Sequence, residues 1–132
     1  MKIFIDTNIF LDLILKRDGY KDAIIILNSC NQDIFKGFVA DITLLNIDYI
    51  ASKQIKNIKD FLKTINESFS IIGANNKTFK LALELNNNDL EDNVQYICSK
   101  SNDCDVIISN DNDFYKGDIK VLSSKEFVNE YI

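Results

Sequence analysis

Five short apolar runs punctuate the chain: KIFI at 2–5, GFVA at 37–40, FSII at 69–72, DVIIS at 105–109 and IKVL at 119–122. Segments with helical spacing fill most of the intervals between them. A run that is apolar throughout, rather than alternating, suits a strand covered on both faces. Strands separated by helices return to the same edge and so run parallel. The pattern predicts an α/β fold, a three-layer α/β/α sandwich around a central parallel sheet of about five strands. Residues 1–132 read as a single domain, with no linker, repeat or low-complexity segment.

The helices follow from apolar periodicity. The first is expected over 8–17, with Ile9, Phe10, Leu13 and Ile14 on one face, and the second over about 21–33. A third spans 42–53, where Ile42, Leu45, Tyr49 and Ile50 recur at helical spacing. Helices at 56–67, 75–86 and 89–101 follow, and Ser123 or Ser124 opens a last one.

The residue inventory narrows the chemistry. The chain has no His, and Cys30, Cys98 and Cys104 lack close-paired metal spacing. A zinc cluster, a Ser-His-Asp triad and a Cys-His pair are therefore unsupported, and carboxylates remain as the main chemical resource. A formal net charge of −5 argues against nonspecific affinity for a polyphosphate, although cations bound in an acidic pocket reverse the local sign. No apolar run approaches the roughly 18 residues of a membrane span, and MKIFID lacks the basic region of a secretory signal. A cytoplasmic protein with no membrane partner is expected.

In parallel sheets, ligands gather beyond the carboxyl ends of the strands. Asp6 follows the first predicted strand, Asp41 the second, and Ser109, Asn110 and Asp111 the fourth, while Asp89 and Asp92 open the helix leading into the fourth. Clustered carboxylates repel one another unless protonated or bridged by a cation, and an all-oxygen set suits Mg²⁺ or Mn²⁺. Such ions polarise a phosphodiester and activate water. Each acid also has a structural reading: Asp6 as a helix N-cap, Asp89 as the cap of a capping box with Asp92, Asp41 as the cap of the 42–53 helix. Asp111 and Asp113 also fit an Asx-rich turn. Tyr49 and Tyr96 read as packing residues, and lysines 53, 56, 59 and 63 as a solvated face.

IDTNIFLD at the start, ITLLNIDYI in the middle and DLEDNVQYICSKSNDCDVIISNDNDF near the end resemble the PIN-domain ribonucleases, especially the small toxins of VapC type. The resemblance covers nearly the whole chain. It implies a Mg²⁺- or Mn²⁺-dependent endoribonuclease that hydrolyses RNA phosphodiester bonds as the toxin of a toxin-antitoxin pair. Asp6, Asp92 and Asp111 match the acidic metal ligands, Asp113 is a second candidate for the last position, and Asn8 is the polar neighbour of the first. Ser109 stands in the place of a threonine. The resemblance also implies structured RNA such as tRNA as substrate, an antitoxin partner and a homodimer.

One position departs from that pattern. Asn46 stands where a glutamate is usual in the helix after the second strand, and an amide ligates a hard cation without adding negative charge. Asp48 is about 200° around the helix from Asn46 and cannot replace it. Asp41, or Glu91 from a neighbouring helix, is the candidate to compensate. Two competing readings follow: a PIN-like domain that binds RNA or protein without cutting, and a phosphoacceptor domain with an acidic pocket and Lys125 after the last strand.

Overall fold

The central strand of the sheet, β1 (Lys2–Ile5), is buried from Ile3 onward because layers pack on both of its faces. The computed structural model describes residues 1–132. After β1 come α1 (Thr7–Ile14), α2 (Tyr20–Asn31), β2 (Lys36–Ala40), α3 (Asp41–Ala51), α4 (Ile58–Ser68) and β3 (Ser70–Ile72). They are followed by α5 (Asn76–Glu84), α6 (Leu90–Ser101), β4 (Val106–Ile108), β5 (Lys120–Leu122) and α7 (Ser124–Tyr131). The five strands pair in parallel in the order β3-β2-β1-β4-β5. The α/β/α sandwich with a parallel sheet is thus the observed architecture.

Strand pleating divides the core. Ile3 and Ile5 of β1, with Val106 and Ile108 of β4, face a cluster completed by residues of α1, α2, α3, α4 and α7. Phe4 and Ile107 point the other way, into a cluster that includes Ala82 of α5 and Val94, Ile97 and Cys98 of α6. Gly37 in β2 permits one close approach: a Cβ there would lie 2.4 Å from the Phe69 ring. At the carboxy end, Ser123 accepts from Glu126 N–H and Glu126 reaches back to Ser123 N–H, so Ser123 is the cap of α7.

Two helices differ from their expected form. The first stops at Ile14, and at Lys16 the backbone takes a φ of 53°, which no helix can continue. In α3 the buried stripe is Thr43, Ile47 and Ala51. Leu45 is 73% exposed and Tyr49 70% exposed, with Ile50 also outward. The segment is apolar nearly all round, so periodicity alone does not choose its inner face. Thr43 stays inside because its hydroxyl pairs with that of Thr7 at 2.9 Å. Tyr49, rather than packing, lies in the open beneath the Lys53 ammonium, while Tyr96 is buried as expected. Lysines 53, 56, 59 and 63 are exposed.

Candidate metal centre

From β1 the chain winds outward to β2 and β3, then returns to place β4 on the other side of β1. The order reverses between β1 and β4, and the crevice beyond their carboxyl ends is where ligands bind in such sheets. Asp6 follows β1 there, and Ser109–Asp111 follow β4. The two exits are laced together: Asp6 N–H donates to the Ile108 carbonyl at 3.0 Å.

Asp6 occupies the N-cap position of α1, yet its carboxylate caps nothing. The first helical amide, Thr7 N–H, donates instead to Oε1 of Gln95 on α6 at 3.2 Å. The other end of that carboxamide, Nε2, donates to Asp6 Oδ1 at 2.9 Å, and the Ser109 hydroxyl donates to Oδ2 at 2.7 Å. Asp6 is thereby fixed, 1% exposed, by side chains from two distant elements. Burial pushes its pKa up, against the two hydrogen bonds that favour the charged form, and the Asp111 charge adds to the rise.

The α6 N-terminus supplies the next wall. Asp89 caps α6 by accepting from Asp92 N–H at 3.1 Å. Asp92 lies in the first turn, 6% exposed, and its Oδ2 is buried with no hydrogen-bond partner. Burial, together with the charges of Asp6, Asp89, Asp111 and Glu91, pushes its pKa up to about 8. Oxygens of Asp89, Asp92 and Asp111 all lie within 4.8 Å of one another. Asp6 stands beside that group, joined to it through Ser109, whose Oγ also accepts from Asp111 N–H at 3.1 Å.

The loop carrying Asp111 is clamped from below. Asn110 Nδ2 donates to Asp12 Oδ2 at 3.0 Å, and Asn110 Oδ1 accepts from both the amide and the hydroxyl of Ser124. Asp113 is exposed and outside the close group; its N–H donates to Asp111 Oδ1 at 2.9 Å and so orients that carboxylate. Asn8 is exposed on the first turn of α1. Asn46 on α3 is half-buried and donates to Glu91 at 2.7 Å. Asp41 turns away from this chemistry, accepting from Ile42 N–H at 2.7 Å and Ala74 N–H at 3.1 Å.

The arrangement fits a hard divalent cation. Every donor is oxygen, one buried carboxylate oxygen is unpartnered, and no Lys or Arg pairs with any of these acids, since the two ion pairs are Lys100–Asp118 and Lys120–Glu130. Asp89, which the sequence places among the acids at the strand ends and also reads as a cap, is both a cap and a member of the close acidic group. One contributor escaped sequence reasoning. Gln95 had a readable signal: it falls three residues after Asp92, hence on the same helix face.

Comparison with known proteins shows the family. Residues 2–113 match the family described as PIN domain. The chain is 30% identical to Ribonuclease VapC1 of Aquifex aeolicus over 134 residues, covering 96% of this chain and 92% of that protein. Its fold is similar to a solved structure, VapBC2 from Rickettsia felis bound to a DNA fragment from their promoter. That match has a TM-score of 0.65 at 16% identity, covering 93% of this chain and 98% of that one. The chain belongs to the PIN domain family, among proteins of VapC type. No helix is long and apolar enough to cross a membrane.

Proposed function

We propose that this protein is an endoribonuclease that cuts RNA with the help of Mg²⁺ or Mn²⁺ held by Asp6, Asp92 and Asp111, and that it acts as the toxin of a toxin-antitoxin pair. The observation that carries the metal assignment is the buried, unpartnered Oδ2 of Asp92 among unneutralised acids at the switch point of the sheet. Leaving such an atom unsatisfied costs stability unless something binds it. The relation to Ribonuclease VapC1 supports RNA as the substrate class.

A bound divalent cation supplies Lewis-acid polarisation of the phosphodiester and a lowered pKa for the attacking water. The chain's own residues prepare that site. Gln95 and Ser109 hold both Asp6 oxygens in one orientation. Asp113 N–H and Ser109 fix the loop that carries Asp111. Asp92 presents a buried Oδ2 with no hydrogen-bond partner, the oxygen that would hold the cation. Asp89 holds the first turn of α6 in place by capping it. Outside the pocket, the outward Leu45 and Tyr49 of α3 leave apolar surface for the partners this reading requires, a second copy of the chain and an antitoxin.

The test is cleavage of total RNA by purified protein with Mn²⁺. The parent should produce fragments, and both chelation and the Asp6→Asn, Asp92→Asn double variant should abolish them. Fragments that persist in the folded double variant would remove the enzyme assignment in favour of a domain that binds without cutting.

A further inference from the structure

Asn46 and Glu91 are 45 residues apart, on α3 and α6, yet Asn46 Nδ2 donates to Glu91 Oε2 at 2.7 Å. Glu91 lies in the first turn of α6, between the cap Asp89 and the buried Asp92. It is half-buried, and no cation pairs with it. Its carboxylate is near enough to Asp6, Asp89 and Asp92 to repel them electrostatically.

A purely structural role fits this placement poorly. A carboxylate held near other acids by a neutral amide costs stability that an uncharged side chain would avoid. The amide is matched to the carboxylate in a specific way: its N–H₂ end offers a donor, whereas an acid at position 46 would offer none and would repel Glu91. Asp92, the next residue of α6, carries the buried Oδ2 that has no hydrogen-bond partner, an independent sign of a group left free for a ligand. An oxygen of Asp92 lies within 4.8 Å of those of Asp89 and Asp111, a close group to which Glu91 is adjacent rather than a member.

We propose that Glu91 belongs to the cation site, supplying from α6 the negative charge that α3 lacks, and that Asn46 is a positioning residue that aims the Glu91 carboxylate. The inference rests on the metal-centre reading above. It assigns Asn46 a purpose: the residue does not weaken the site but transfers the acidic position from one helix to the next.

The experiment is calorimetric titration with Mn²⁺ of the parent, Glu91→Gln, Asn46→Ala and Asp92→Asn, with melting temperatures of each metal-free protein. Glu91→Gln keeps an oxygen for Asn46 to bond while removing the charge. It should melt at or above the parent's temperature and bind Mn²⁺ about tenfold more weakly, with Asn46→Ala showing a smaller loss in the same direction. A structural Glu91 would do the reverse, so a lowered melting temperature with parental Mn²⁺ affinity overturns the inference. If Asp92→Asn loses Mn²⁺ while Glu91→Gln binds like the parent, only the inference fails. If the parent itself binds no Mn²⁺, the metal-centre reading fails and takes this one with it.

Discussion

The chain contains two junctions that look alike in sequence, FIDTN at 4–8 and VADIT at 39–43, where a buried strand meets an aspartate and a helix begins. They behave differently. At the second, both Asp41 oxygens accept backbone N–H groups, from Ile42 and from Ala74, and the carboxylate ties the β3–α5 loop to α3. At the first, Asp6 accepts from Gln95 and Ser109, side chains about a hundred residues away by sequence, while Gln95 takes over the helix amide that Asp6 could have capped. Backbone donors make a carboxylate a local fastener. Side-chain donors gathered from afar leave it oriented toward whatever the pocket binds.

Substitutions can break this contrast, and the largest expected effect is on the Asp6 side. Asp92→Asn, which removes charge from the pocket that Asp6 flanks, should abolish RNA cleavage while the protein stays folded, as followed by circular dichroism alongside the cleavage assay. Loss of an orienting partner should cost less. Ser109→Ala frees one Asp6 oxygen and leaves Asp111 N–H unbonded, and cleavage should fall about 10- to 100-fold. Across the sheet the currency changes from activity to stability. Asp41→Ala leaves two part-buried amides unsatisfied and should cost about 1–3 kcal/mol in denaturant unfolding. Its cleavage rate per folded molecule should match the parent; an Asp41→Ala protein that folds fully but fails to cut would collapse the distinction between the two junctions.

Much of this was legible in the sequence, and particular residues show where legibility ended. The strands could be read because a strand buried on both faces leaves an uninterrupted apolar run, and the site's location followed from where strands end. Helix α3 could not be oriented, because Leu45 and Tyr49 are as apolar as Ile47, and a buried hydroxyl pair between Thr7 and Thr43 settles which side faces inward. Asp89 offered two readings, cap and member of the acidic group, and spacing did not reveal that it is both. The Asn46–Glu91 bond joins elements whose contact is a product of the fold, so spacing could suggest Glu91 as compensating but not fix the pairing.

The central claim is that the acids at the end of β1 and β4 are held for a cation, and melting temperature against pH, with and without Mn²⁺, tests it most directly. Asp92 carries a folded-state pKa raised to about 8, so between its ordinary value and about 8 the folded protein binds more protons than the unfolded chain. Metal-free stability should therefore fall as pH rises from about 5 to about 8 and level off above that window. Mn²⁺ should oppose the fall, with a stabilisation that grows as Asp92 ionises. A metal-free melting temperature that is flat or rising through that window, unchanged by Mn²⁺ at about pH 8, would contradict the account.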